Sequence, residues 1–225
     1  MFPATDYFEL SHTAHPELFG NDVPVWNVLI RIGEWISARA PGRIEGDVSP
    51  AAHIGDHVSL GKGTRVEAGA TIIGPAWIGK NCVVRAGAYI RENVITGNGC
   101  VLGNSCEFKN CFLFDEVEVP HFSYVGDSVM GYRSHLGAGV ILSNVKLNRQ
   151  EISVRNGSDA IPTGLRKFSA VIGDYTEIGC NSIISPGSLI GKRCVLYPGA
   201  HWNGMLADSH IVKVRQTQIV VERHQ

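Results

Sequence analysis

The chain has no excess of charge of either sign. Its 20 lysine and arginine residues are balanced by 21 aspartate and glutamate residues, so the basic surface that recognises nucleic acid is lacking. No apolar run approaches the roughly 18 residues of a membrane span. The N-terminus also lacks the basic segment followed by an apolar stretch that marks a secretory leader. We therefore expect a cytoplasmic protein with no nucleic-acid or membrane partner.

The six cysteines contain no CxxC pair; they are Cys82, Cys100, Cys106, Cys111, Cys180 and Cys194. Three of them, Cys82, Cys100 and Cys106, are separated by multiples of six residues, which favours stacked thiols at one repeat position. Cytosolic thiols stay reduced, so we expect structural cysteines rather than disulfides. The chain also lacks three histidines at a spacing that could bind one zinc ion, and no metal is expected.

Aliphatic residues recur at a strict spacing of six. The first run is Val48, Ile54, Leu60, Val66, Ile72, Ile78, Val84 and Ile90, and a second run is Ile172, Ile178, Ile184, Ile190, Leu196 and Trp202. Neither a helix nor a flat strand has this period. A fixed hexapeptide repeat is typical of a parallel β-helix, in which three units make one triangular coil and the aliphatic residue points inward. The fold class is therefore predicted to be an all-β solenoid.

The repeat divides the chain into three parts, predicted as residues 1–43, 44–205 and 206–225. In the first part, Pro24 precedes apolar residues at helical spacing, and Pro41–Gly42 ends the pattern; this predicts a short helix. Because an open solenoid end exposes unpaired strand edges, we expect the helix to cap that end. The last part alternates apolar and polar residues and is predicted to be a strand or tail.

The phase of the repeat shifts between residues 114 and 130, and hexads are absent from residues 143–170. A long excursion from a compact solenoid is usually functional or disordered. This inserted loop carries Lys146, Arg149, Arg155, Arg166 and Lys167. We expect it either to close over a substrate or to grip a neighbouring subunit.

Five short motifs follow one another along the chain. They are Arg85–Ala–Gly–Ala, Glu107–Phe–Lys109, Pro120–His121–Phe–Ser–Tyr124–Val–Gly–Asp, Leu136–Gly–Ala–Gly139 and Arg166–Lys167–Phe168. This order resembles the acetyltransferase half of the bifunctional N-acetylglucosamine-1-phosphate uridyltransferase/glucosamine-1-phosphate acetyltransferase family, over roughly residues 44–205. The resemblance implies a left-handed β-helix, acetyl-CoA as acyl donor, and a homotrimer with active sites between neighbours.

The resemblance also implies a role for each matched residue. His121 would be the general base that takes the proton of an attacking sugar amine. The acceptor would be bound by Arg85, Lys109, Tyr124, His135 and Lys167. The acyl donor would lie along Ala138, Asn144, Cys180 and Pro198, where small residues let backbone N–H groups approach a developing oxyanion.

Several residues depart from the family pattern. His135 stands where the family has Asn, Val145 replaces a Tyr, and Cys180 replaces a Ser. The family's nucleotide-binding half has no counterpart in residues 1–43, so uridyl transfer is not expected. These changes affect the sugar-amine and coenzyme contacts, so the acceptor need not be glucosamine 1-phosphate.

We therefore expect a CoA-dependent acyltransferase, with N-acetyl transfer to an amino-sugar phosphate or a nucleotide-linked sugar as the leading reaction. O-acetyl transfer with His121 in the same role is the nearest alternative. A non-catalytic β-helix, acting as scaffold or as regulatory partner of a separate sugar nucleotidyltransferase, is the alternative from another class. The presence of the base His121, of a cluster of basic residues and of Tyr124 favours the enzyme.

Overall fold

Successive hexads form successive sides of a triangular coil in the computed structural model, which describes residues 2–39 and 42–223. Val48 pairs with Val66 and Ile54 pairs with Ile72, each in parallel register with the residue one coil further on. Three parallel sheets of nine, eight and eight strands result. The predicted fold, a left-handed parallel β-helix with one short helix near its N-terminus, is confirmed.

The three sheets are called face one, face two and face three. Face one contains β1 (Asp47–Val48), β4 (Arg65–Val66), β7 (Val83–Val84), β10 (Val101–Asn104), β13 (Glu118–His121), β16 (His135–Leu136), β21 (Glu177–Ile178), β24 (Val195–Leu196) and β27 (Ile211–Val212). Face two contains β2 (His53–Ile54), β5 (Thr71–Ile72), β8 (Tyr89–Ile90), β11 (Glu107–Lys109), β14 (Tyr124–Gly126), β17 (Ile141–Leu142), β22 (Ile183–Ile184) and β25 (His201–Trp202). Face three contains β3 (Val58–Leu60), β6 (Ala76–Ile78), β9 (Val94–Thr96), β12 (Cys111–Leu113), β15 (Val129–Met130), β20 (Ala170–Ile172), β23 (Ser188–Ile190) and β26 (Met205–Leu206).

The corners between faces bring neighbouring coils very close together. A Cβ atom added to Gly79 would lie 2.1 Å from the Gly97 carbonyl oxygen, so only glycine fits there. Small buried residues fill the inside of the corners. Cys82 and Cys100 stack in one such column, whereas Cys106 lies at a different corner. Cys82 and Cys100 therefore stack as expected, whereas Cys106 has the same place in its hexad but precedes a strand of another face; all six cysteines are free.

The phase shift of the repeat consists of two shortened corners between face two and face three. The inward-facing residues Phe108 and Leu113 are five positions apart instead of six, as are Val125 and Met130. The shift therefore begins at residue 109, ahead of the predicted interval of 114–130. Each shortened corner carries polar residues of the candidate site described below.

The N-terminal segment lies along the flank of the prism. It contains the 3₁₀ helices Ala4–Asp6, Leu10–His12, Pro16–Leu18 and Val25–Asn27, followed by the α-helix α1 (Val28–Arg39). Helix α1 packs against β9 and β12 of face three. It therefore does not close an open end of the solenoid, which is where the sequence predicts it. The aromatic rings of Phe8 and Phe19 lie 4.6 Å and 5.4 Å from that of Phe114. Gly42 has a positive φ, while Pro41, the other half of the predicted helix stop, lies outside the described residues.

The insertion between β17 and β20 folds as an antiparallel hairpin of β18 (Ser153–Asn156) and β19 (Asp159–Pro162). Strand β18 packs against β23 and β26, at the C-terminal end of face three. Ile152 and Val154 are fully buried in this contact. The hairpin and the N-terminal segment therefore cover face three, while no described segment of the chain covers faces one and two in this way.

The parallel ladder of face one continues to Val212, beyond the predicted boundary at residue 205, and residues 213–223 form no strand. Within residues 2–39 and 42–223, no helix combines the length and the hydrophobicity needed to cross a bilayer.

Candidate functional site

Six residues stack in one column along the corner between face one and face two. They come from successive coils and are Ala86, Asn104, His121, Ala138, Cys180 and Pro198. Main-chain hydrogen bonds fix the column. Phe122 N–H donates to the Asn104 carbonyl at 2.9 Å, and Gly139 N–H donates to the His121 carbonyl at 3.1 Å. We call this column the His121 corner.

His121 is the last residue of β13, and its backbone is firmly held. It pairs with Asn104 across the sheet, and Ser123 Oγ donates to its carbonyl at 3.0 Å. By contrast, its exposed imidazole makes no hydrogen bond with any described residue. The ring nitrogens are therefore accessible to a ligand, as a general base requires.

One backbone N–H beside His121 lacks an acceptor. The Gly137 N–H donates to the Ile178 carbonyl at 2.7 Å, and the Gly139 N–H donates to His121. Between them, the Ala138 N–H finds no acceptor among residues 2–39 and 42–223. Of the Gly137–Ala138–Gly139 backbone that the resemblance singles out, only Ala138 can therefore donate to an oxyanion.

Arg85 stands at the same corner, two coils before His121. It forms no ion pair with any described carboxylate. Burial raises the pKa of the Cys106 thiol, and the positive charge of Arg85 acts against that rise. The Arg85 guanidinium thus lies close enough to the corner to act on the Cys106 thiol.

A second polar cluster occupies the shortened corners at the other edge of face two. Asp127, whose side chain is only 4% exposed, accepts hydrogen bonds from Asn110 Nδ2 at 2.9 Å and from Asn144 Nδ2 at 2.5 Å. The Lys109 ammonium lies 3.8 Å from Asp127 and 3.6 Å from Glu92. We call Lys109, Asn110, Tyr124, Asp127 and Asn144 the Asp127 cluster. Within this cluster, Lys109 therefore lies between the carboxylates of Asp127 and Glu92.

Tyr124 joins face two to the Asp127 cluster. Its hydroxyl accepts a hydrogen bond from Asn144 Nδ2 at 3.0 Å. Burial, and then the charge of Asp127, raises the pKa of Tyr124 to about 12. The phenol therefore stays protonated near neutrality, and its O–H can donate to a ligand. The ring lies across Gly126, where any Cβ would collide with the Tyr124 hydroxyl.

His135 lies on the outer surface of face one, in the coil after that of His121. Its Nδ1 is 2.8 Å from Glu177 Oε2, across the parallel pair that these residues form. Two open cavities meet at this pair. One, of about 400 Å³, also contacts Glu116, Glu118 and Arg133, and the other, of about 360 Å³, reaches Cys180 and Pro198. His135 is therefore held by a carboxylate, whereas His121 is not.

Lys167 lies in the exposed part of the insertion. Together with Val145, Arg149 and Arg166 it borders a cavity of about 580 Å³. No described carboxylate forms an ion pair with Lys167.

The structure thus groups the predicted site residues in four places. The His121 corner contains His121, Ala138, Cys180 and Pro198, with Arg85 two coils away; the Asp127 cluster contains Lys109, Tyr124 and Asn144; His135 lies on face one; and Lys167 lies in the insertion. The first two groups border face two on its two edges. No group of three His, Cys, Asp or Glu side chains among residues 2–39 and 42–223 is arranged to bind a metal ion.

Known proteins resemble this chain in the same region. The GMPPB C-terminal domain family matches residues 72–159, which include Arg85, Lys109, His121, Tyr124, His135, Ala138 and Asn144. A bifunctional sugar-1-phosphate nucleotidylyltransferase/acetyltransferase of Sulfurisphaera tokodaii is 30% identical over 194 residues, covering 84% of this chain and 47% of that protein. The bifunctional protein GlmU of Methanococcus maripaludis is 34% identical over 115 residues, or 48% of this chain and 28% of that one.

The predicted resemblance is confirmed. The chain spans less than half the length of these two relatives. Among solved structures, the acetyltransferase domain of PglB from Neisseria gonorrhoeae matches with a TM-score of 0.31 and 15% identity, covering 85% of this chain and 76% of that one.

Two acidic residues of these groups had no predicted role. Asp127 lies inside a quoted motif, but its position at the centre of a cluster depends on two one-residue deletions at corners. Glu177 follows the 28-residue interruption of the repeat, so its pairing with His135 could not be read from hexad spacing. Its one sequence signal is that it directly precedes Ile178, which places it on the outer surface of a strand.

Proposed function

We propose that this chain transfers an acetyl group from acetyl-CoA to the amine of an amino-sugar phosphate or of a nucleotide-linked amino sugar. The relatives support acyl transfer as the reaction class, since the names of the two described above include an acetyltransferase or denote GlmU. The observation that carries the proposal is the His121 corner. There an accessible imidazole is followed, coil by coil, by Ala138, Cys180 and Pro198.

The small side chains of this column suit an extended acyl donor. Neighbouring strands are about 4.8 Å apart, so the column from His121 to Pro198 is about 14 Å long. A pantetheine arm laid along it would bring its thioester next to His121 and the Ala138 N–H. This N–H would then donate to the carbonyl oxygen as negative charge develops on it.

In this arrangement the acceptor nitrogen attacks the thioester carbonyl while His121 takes the amine proton. The C–N bond forms, the C–S bond of the tetrahedral intermediate breaks, and the proton passes to the departing thiolate. The products are an amide and free CoA. A neutral amine is required, because an ammonium has no lone pair with which to attack.

The acceptor's phosphate would be held chiefly by Arg85. Lys109 is flanked by Asp127 and Glu92, so less of its charge is available to a dianion. Tyr124 adds a protonated O–H between the two edges of face two. The resemblance assigns Lys167 to the same phosphate. This contact would require the insertion to lie against the bound acceptor.

The proposal is tested by measuring thiol release from acetyl-CoA with a panel of amino-sugar phosphates and nucleotide-linked amino sugars. We expect one of these acceptors to react, and His121→Ala to lower kcat by about 10²–10⁴, the usual worth of a positioned acid–base group. His135→Asn restores the residue of the related family and should keep kcat within about tenfold of the wild type. The matched control is His210→Ala, since His210 is an exposed histidine just before β27, outside the strands of face two.

The alternatives give distinct results. Transfer only to the hydroxyl-bearing counterparts of the panel would indicate O-acetylation at the same site. Near-full turnover of His121→Ala with loss in His135→Ala would move the base to the His135–Glu177 pair. No thiol release with any acceptor, in a folded protein, would favour the non-catalytic scaffold.

A further inference from the structure

A cavity of about 430 Å³ lies on the side of the prism away from the His121 corner. It opens where face three meets face one, beneath the N-terminal segment. Residues that border it include His15, Arg39, Arg43, Ser59, Trp77 and Lys80. None of them belongs to the candidate acyl-transfer site, and the cavity has the volume typical of a small-molecule site.

Aromatic rings form one wall of this cavity. Trp77 points outward from β6, and the His15 ring stands edge-on to it with 5.4 Å between centroids. Trp35 of helix α1 packs against both rings, 4.4 Å from His15 and 5.5 Å from Trp77. Only part of the Trp77 surface is buried by these contacts. A planar ring that enters the cavity therefore meets an aromatic surface that is already fixed in place.

The floor of the cavity carries an unpaired hydroxyl. Ser59, on the outer side of β3, is 6% exposed, and its Oγ has no hydrogen-bond partner among the described residues. Buried polar atoms are nearly always paired, because an unpaired one keeps the full cost of losing water. A ligand with a donor or acceptor at this point would supply the missing partner.

The rim of the cavity is cationic. Arg39, Arg43 and Lys80 border it, and Glu45, which pairs with Arg43 at 2.8 Å, is its one carboxylate among the described residues. Among the lining residues, three positive charges face one negative charge; Glu17 and Asp115, which do not line the cavity, are close enough to His15 to act on its pKa. The whole chain, in contrast, has a net charge of −1. Such a local excess favours a phosphate dianion.

We propose that this cavity is a second ligand site, which binds a nucleoside phosphate with its base against Trp77 and its phosphate at the Arg39–Arg43–Lys80 rim. Ser59 hydrogen-bonds to the ring or sugar. The site is separate from the proposed acyl transfer, and binding is measured without any turnover. It would give the chain a means of sensing nucleotides independently of its acceptor.

The test is titration of the full chain with adenosine 5′-monophosphate and uridine 5′-monophosphate, followed by tryptophan fluorescence and calorimetry. At least one nucleotide should bind saturably, with a Kd below about 1 mM. The corresponding nucleoside and inorganic phosphate should each bind at least about tenfold more weakly, because each makes only half of the contacts. Saturable binding of neither nucleotide, or equal binding of the nucleoside or of inorganic phosphate, would overturn the inference.

Three variants locate the site. Lys80→Ala removes an exposed charge and should weaken nucleotide binding by about fivefold to tenfold, whereas Lys213→Ala, an exposed lysine near the C-terminus, should not. Ser59→Ala should weaken binding while raising the thermal midpoint by about 2–4 °C, since it removes an unpaired buried hydroxyl. His121→Ala should leave nucleotide binding unchanged. If binding is lost in His121→Ala instead, the nucleotide occupies the acyl-transfer site and the second site does not exist.

Discussion

His121 and His135 differ in what holds their rings. The His121 imidazole has only backbone support, while His135 Nδ1 lies 2.8 Å from a Glu177 carboxylate oxygen. In enzymes that use a histidine base, a partner on the second nitrogen usually fixes the tautomer. Among residues 2–39 and 42–223, the His121 ring has no such partner. A neighbouring subunit that packs on the His121 corner would be in position to supply it.

His15 makes the stability of the N-terminal segment depend on pH. Burial lowers the pKa of His15, with Arg39 acting in the same direction and Glu17 and Asp115 acting against it. The unfolded chain therefore takes up a proton at higher pH than the folded chain does, and stability must fall as pH drops below the unfolded value of about 6.5. Above that value the contribution of His15 is fully present.

We expect the free energy of unfolding to decrease between pH 7 and pH 5, as measured by denaturant titration at each pH. His15→Phe keeps an aromatic ring against Trp35 and Trp77 but cannot titrate, so its stability should change less over this range. His210→Phe is the control, because the His210 side chain is exposed and lies just before β27, outside the strands of face two. An unchanged pH dependence in His15→Phe would show that His15 does not carry this effect.

At the scale of elements, the inserted hairpin is part of the core of face three. Ile152 and Val154 are fully buried, and Gly187 approaches the Ser153 carbonyl so closely that an added Cβ would be 2.7 Å from it. These contacts are those of a structural element. The cationic residues at its two ends, including Arg149 and Lys167, remain exposed.

We therefore expect Ile152→Ala to lower the free energy of unfolding by about 2–5 kcal/mol, the usual cost of emptying a buried isoleucine site. Ser158→Ala, at the exposed tip of the same hairpin, should change it by less than about 0.5 kcal/mol. Denaturant titration measures both. Equal stability of the two variants would mean that the hairpin is dispensable and that the insertion serves only the acceptor.

Hexad spacing predicted the strands of the prism because one aliphatic residue per strand points inward throughout. It failed where that alternation disappears. In β12, both Phe112 and the inward-facing Leu113 are buried, since Phe112 packs against Phe19 of the N-terminal segment at 5.0 Å. An unbroken apolar run fits two registers equally well. The shortened corner at residue 109 and the site of helix packing were hidden for the same reason.

The candidate site was predictable to the extent that it lies within matched motifs. His121, Tyr124 and Ala138 are contiguous with strands whose register the repeat determines. The contact of His135 Nδ1 with Glu177 and the cluster around Asp127 instead join residues from different coils. Predicting such contacts requires the number of residues in each coil, and the corner deletions and the insertion change that number.

For the whole molecule, the faces that the chain leaves uncovered indicate where a second subunit could bind. The chain covers its own face three, so faces one and two are left to meet solvent or another subunit. Several exposed apolar side chains lie on face two and at its edges, namely Ile73, Tyr89, Phe122, Ile141, Val145 and Ile183. Contiguous apolar patches on soluble proteins usually mark interfaces.

We predict a homotrimer in which face two of each subunit packs against face one of the next. Two different surfaces that meet at one corner make a head-to-tail contact, and such contacts close into a ring when the rotation permits. Light scattering should then give three times the 24.4 kDa chain mass. Ile141→Glu places a charge in the apolar patch and should shift the protein to monomer, whereas Ile30→Glu, on the exposed side of α1, should not. A wild-type monomer at micromolar concentration would contradict both the trimer and an active site completed by a neighbour. A trimer that Ile141→Glu leaves intact would instead place the interface on another face.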